Sequence, residues 1–139
     1  MKKLTLVILL VAILFSFSSA NAEKEPTWTY VSTDGITDVS ISEDSGNISA
    51  TYGKTVSLWL NHTSTPYNSK TLGQGITSMD MSSNGKYVVI AEESDATLTL
   101  YEQGTKEWDK SDFFLSVNGV DITSDGSHIA VIDYRNVYY

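Results

Sequence analysis

Residues 76–91 read ITSMDMSSNGKYVVIA, and the same phrase returns twice in other side chains: ITDVSISEDSGNISA at 36–50 and VNGVDITSDGSHIAVI at 117–132. Ile36 to Ile76 is 40 residues, and Ile76 to Val117 is 41. The glycines Gly46, Gly85 and Gly126 follow at intervals of 39 and 41, and Pro26 and Pro66 are again 40 apart. Independent landmarks that share one period define an internal repeat, and a period near 40 is that of stacked or radial repeat architectures.

Inside each unit the apolar residues alternate, as in Val39 and Ile41, Met79 and Met81, Val120 and Ile122. That period of two predicts a short strand. The turns EDSG, SNG and SDG come next, with the glycine expected to supply the positive φ of a tight hairpin. Second strands ISATY, YVVIA and HIAVI follow, apolar and β-branched enough to be buried on both faces. A third strand reads TVSLWL and then ATLTLYE, and a weaker fourth reads YNSKTL and then DFFLS. Four short antiparallel strands in about 40 residues predict an all-β chain made of β-propeller blades. The expected blades span 36–73, 76–116 and an incomplete 117–139, about two and a half in all, with 26–33 as a closing strand.

TVSLWL, with Trp59, resembles the third strand of WD40 repeats, although Leu60 replaces the usual Asp and the ordering Gly-His pair is absent where Gly73, Gln74 and Gly75 stand. PTWTYVSTDGITDVSIS is similar to the blade phrasing of exported WD40-like and quinoprotein-like propellers, and the resemblance covers residues 26–139. It implies a ring of about four to eight blades, so the natural polypeptide is expected to continue beyond Tyr139. The quinoprotein side of the resemblance implies pyrroloquinoline quinone on the propeller axis and a Gly-x-x-x-Trp docking motif. Only Gly104 and Trp108 fit that motif.

The first 22 residues are set apart by their composition. MKK, the apolar run of 14 in LTLVILLVAILFSF, and the small-x-small ANA form a secretory signal, with cleavage expected after Ala22. Ser16, Ser18 and Ser19 interrupt the run before the roughly 20 apolar residues a span requires, so no stable membrane span is expected after cleavage. The expected location is secreted, extracellular or cell-surface, or periplasmic if the source has two membranes. Removing two lysines and no acids changes the charge from 9 − 17 = −8 to 7 − 17 = −10. Such an acidic chain is unsuited to nucleic acid. Without cysteine it has no disulfides, and its stability rests on sheet packing.

Few residues suggest chemistry. GKT at 53–55 lacks the earlier Gly of a phosphate loop, since Ile48 occupies that place, and no Gly-x-Ser-x-Gly elbow is present. His62 and His128 supply too few ligands for a metal site. No catalytic, metal or cofactor-binding residues are expected. Ser40, Asp80 and Asp121 hold equivalent places in the first strands, which line the channel of a propeller. There they could hold a cation or basic ligand, or cap backbone amides. Glu92, Glu93 and Asp95 read as a solvated hairpin loop, and Asn47 in NIS and Asn61 in NHT as N-glycosylation acceptors. The function expected is a binding or interaction scaffold for an unknown protein, glycan or small ligand. A fragment of a quinone-dependent propeller dehydrogenase is the alternative.

Overall fold

The computed structural model describes residues 25–93, 97–111 and 117–139. Residues 1–22, read from the sequence as a secretory signal, and Asp95 lie outside the described residues. Each repeat forms its own antiparallel sheet, and every described element is a strand. The first sheet is β1 (Ile36–Ile41), β2 (Asn47–Tyr52), β3 (Thr55–Leu60) and β4 (Asn68–Thr71), paired in chain order. The second repeats that order with β5 (Ile76–Met81), β6 (Tyr87–Glu92), β7 (Leu98–Glu102) and β8 (Thr105–Lys110). A third contains β9 (Gly119–Ile122), β10 (Ile129–Ile132) and β11 (Val137–Tyr138).

The registers superpose residue for residue. Val39 faces Ala50, Met79 faces Ile90 and Val120 faces Val131 across the first hairpin of each unit. Even the irregularities recur, because the ladder shifts at Ile36/Asp38 and again at Ile76/Ser78. At those shifts the hydroxyls of Thr37 and Thr77 donate to the carbonyls of Thr51 and Ala91. Three turns close on the same circuit. The Ser42 hydroxyl donates to Asp44 Oδ1 at 2.6 Å and accepts from Asn47 N–H at 2.9 Å. Ser82 does the same with Asn84 and Tyr87, and Thr123 with Asp125 and His128 in the third turn.

One local expectation changes, and one strand was not expected. The positive-φ position of the three turns is Ser45 (58°), Gly85 (69°) and Gly126 (78°), not Gly46. EDSG carries its glycine one residue late, because the circuit from Ser42 through Asp44 fixes which residue turns left-handed. TKEWDK forms the strand that follows β7, which the sequence reading did not mark, and DFFLS lies outside the described residues. Gln103 (47°) and Gly104 (83°) make a two-residue turn with positive φ at both positions, so the chain reverses at once after β7. The segment 26–33 contains no strand and packs on the first sheet.

The three sheets stack face to face with β1, β5 and β9 side by side. Two apolar layers result. Val56 and Leu58 of the first sheet meet Met79, Met81, Val88, Ile90 and Tyr101 of the second. Val89, Ala91, Leu98 and Leu100 on the opposite face of that sheet meet Ile122 and Val131 of the third. Val89, Ile90 and Ala91 are fully inaccessible, which accounts for the unbroken apolar run in β6. The described sheets form an open stack, not a closed ring.

Candidate functional site

The side-by-side strands β1, β5 and β9 are tied by side chains that reach one repeat ahead. Met79 N–H donates to Asp38 Oδ2 at 3.0 Å, Val120 N–H to Ser78 Oγ at 3.3 Å, and Ile122 N–H to Asp80 Oδ2 at 3.0 Å. Amides of the edge strands β5 and β9 are thus satisfied by short polar residues of the preceding repeat.

Ser40, Asp80 and Asp121 come together in this row. Ser40 Oγ donates to Asp80 Oδ1 at 3.0 Å, and Met81 N–H to the same oxygen at 2.8 Å. Burial pushes the Asp80 carboxyl above the usual range and the Asp121 carboxyl beside it adds to the rise, while the amides of Ile122 and Met81 and the Ser40 hydroxyl pull against it. Asp80 therefore acts here as a staple between repeats, its oxygens accepting from the protein. Asp121, at the same position on the third sheet, is exposed.

At one end of the stack the three turns stand in a row. Glu43 N–H donates to the Ser83 carbonyl at 2.8 Å, and Asn84 N–H to that of Ser124 at 3.2 Å. The row borders a shallow basin of about 560 Å³ lined by Glu43, Asp44, Ser83, Asn84, Ser124 and Asp125. Two of its carboxylates, Asp44 and Asp125, are held ionised. The Ser42 hydroxyl and then the Gly46 amide hold Asp44 below its ordinary value. The amide and hydroxyl of Ser127 hold Asp125 at about 2.

The other candidate positions scatter. GKT is the β2–β3 hairpin turn, with Gly53 at φ 56° and Lys54 Nζ on the Gly73 carbonyl at 2.8 Å. His62 is exposed, and His128 stacks on Tyr139 with ring centres 5.1 Å apart and planes 4° from parallel. Glu92 accepts from Gln74 N–H at 3.3 Å and Glu93 is exposed. Gly104 lies in the β7–β8 turn and Trp108 is partly exposed on β8. Asn61 is exposed, whereas Asn47 lies against Gly85 of the next turn.

Among the described residues no group of three or more His, Asp or Glu side chains is placed to hold a metal, and no helix is long and apolar enough to cross a membrane. The sequence did not single out Asp38 and Ser78, although they are 40 residues apart at one repeat position. Their shared period was the available signal. No family model matches the chain, and no curated protein matches it.

Proposed function

We propose that this chain is an exported β-propeller repeat module that works as a binding or interaction scaffold, with the row of turns as its recognition surface. The observation that supports this reading is the repeated link from Asp38, Ser78 and Asp80 to the amides of the next repeat. Links of that kind hold successive sheets at one fixed offset, so the turns stand in a regular row. Residues 43, 83 and 124 then become equivalent positions that differ in side chain on a common backbone. A rigid scaffold carrying variable turns is how many folds build recognition sites. The acidic rim of the basin and the chain's net charge of −8 favour a cationic segment of a protein partner over an anionic one.

The test uses immobilised lysine-rich peptide, a neutral oligosaccharide and an acidic peptide as probes. Retention of the lysine-rich peptide is expected, at least tenfold weaker after Ser124→Lys and several-fold weaker after Glu43→Gln. Both side chains are exposed, so neither change should alter the melting temperature. Equal binding by parent and variants, or retention of none of the probes, would overturn the proposed surface.

A further inference from the structure

Where the first two sheets meet, beside the turn row, lies a second basin of a different chemical kind. It measures about 530 Å³ and is lined by Asn47 and Tyr67 of the first repeat and by Asn84, Gly85, Lys86 and Gln103 of the second. Clefts for small ligands are usually of about 300–1,000 Å³. Its walls are fixed by the fold. Tyr67 N–H donates to the Leu58 carbonyl at 2.9 Å, and Gln103 N–H to the Lys86 carbonyl at 2.8 Å. Asn47 lies so close over Gly85 that a Cβ there would meet its Nδ2 at 2.5 Å, and Gly104 is packed in the same way against Asn68.

Two residues set this place apart from its surroundings. Asn47 accepts the role that Tyr87 has one repeat later, since each follows its turn hydroxyl by 5 residues and donates its N–H to it. The Tyr87 ring lies against Gly126 as Asn47 lies against Gly85. A short amide in place of a ring leaves room at the first seam. Gln103 is the second departure. It stands at φ 47°, the first of two left-handed positions in its turn, where Asn or Gly is the ordinary occupant. Residues held in such strained conformations cluster at ligand sites, and Gln103 lines the basin.

The side-chain amides of Asn47 and Gln103 and the Tyr67 hydroxyl take no hydrogen bond from another described residue. Burial holds the Tyr67 phenol above its ordinary value, so it stays a donor. No carboxylate lines the basin, and the Lys86 ammonium is matched by Glu102. An anion would find no unmatched cation there, a cation no carboxylate, and an apolar molecule a single ring among amides. A primary amide donates and accepts at once, which suits neighbouring hydroxyls of one sugar ring. Tyrosine adds an apolar face with a polar tip. We propose that this basin binds a neutral saccharide, with the Asn47 and Gln103 amides on its hydroxyls and the Tyr67 ring against its C–H face. The site uses amides and a phenol, not the carboxylates of the turn row, so it stands or falls apart from the cationic ligand proposed there.

Saturation-transfer NMR tests this with methyl β-glucoside, methyl β-galactoside, methyl α-mannoside, N-acetylglucosamine and cellobiose as probes. At least one is expected to bind, and glucuronate no more tightly than the glucoside. Asn47→Tyr copies the side chain found at the second seam, so it should fold and weaken the bound sugar roughly tenfold or more. Gln103→Gly removes the strained residue, so it should raise the melting temperature while weakening the same sugar roughly fivefold or more. A merely structural Gln103 would not move the two readouts in opposite directions. Saturation transfer to none of the sugars, or an affinity unchanged in both variants, would overturn the site. Tighter binding of glucuronate than of the glucoside would overturn the neutral class of ligand.

Discussion

Replacing Asp80 separates a staple from a ligand group. Its carboxylate accepts three described hydrogen bonds, from Met81 N–H at 2.8 Å, Ile122 N–H at 3.0 Å and Ser40 Oγ at 3.0 Å. A hydrogen bond to a charged group contributes about 1.5–3 kcal/mol net. The site is only half-buried, so about 1 kcal/mol each is the fitting value, or about 3 kcal/mol in all. Against that, burial and the neighbouring Asp121 disfavour the ionised form, so removing the charge recovers part of that cost. Asp80→Ala is thus expected to cost about 2 kcal/mol, or about 10 °C in Tm for a domain of this size. Asp80→Asn keeps one acceptor oxygen and sheds the charge, so it should cost about 1 kcal/mol or less. Asp121→Asn, exposed on the outer face, should stay within about 0.5 kcal/mol. Urea titration followed by tryptophan fluorescence measures all three. An Asp80→Ala protein with unchanged stability would refute the staple and return Asp80 to the candidate ligand groups.

Ser45→Gly relieves a left-handed residue and is expected to stabilise by about 0.5–1 kcal/mol. Gly126→Ala should cost several times that, because its Cβ would lie 2.1 Å from Tyr87 Cδ2; calorimetry of both variants checks the pair. Asp125 and Asp133 are each held at about 2, chiefly by the Ser127 and Arg135 amides, below the unfolded value of about 3.9. Their contribution is therefore present above pH about 4 and is lost as pH falls toward 2. Hydrogen exchange across β9–β11 should accelerate through that window, and less so in Asp125→Asn with Asp133→Asn. Expressed through a glycosylating secretory host, the protein should carry glycan at Asn61 and not at Asn47, whose side chain is packed on the second turn; intact mass before and after Asn61→Gln decides. The secreted product is expected to begin at Glu23, which mass spectrometry of its N-terminal peptide would establish.

The apolar strands were legible because burial writes itself as alternation. Met79 and Met81 face one layer and Asp80 the other, and β6 is apolar throughout because both its faces are covered. By the same logic β8 was not legible: all six residues of TKEWDK are exposed, so no periodicity marks the strand. The left-handed Ser45 escaped detection because a glycine stands beside it, and only the hydroxyl and carboxylate circuit decides between the two. The row of Ser40, Asp80 and Asp121 followed from the period. What Asp80 touches did not, since its partner amide is 42 residues away and belongs to a backbone that has no sequence signature.

The central sheet, covered on both faces, also has a history during synthesis. Its run YVVIA is complete some 40 residues before the third repeat that covers Val89 and Ala91. At about 5–20 residues per second that leaves the run uncovered for about 2–8 s. A five-residue β-branched stretch without charge or proline is the kind that pairs with copies of itself. Lys86 stands immediately before it and Glu92 and Glu93 immediately after, so charge brackets the vulnerable stretch on the nascent chain. In the folded protein Lys86 instead pairs with Glu102 across the β6–β7 hairpin. One lysine thereby guards the strand before its neighbour arrives and anchors it afterwards.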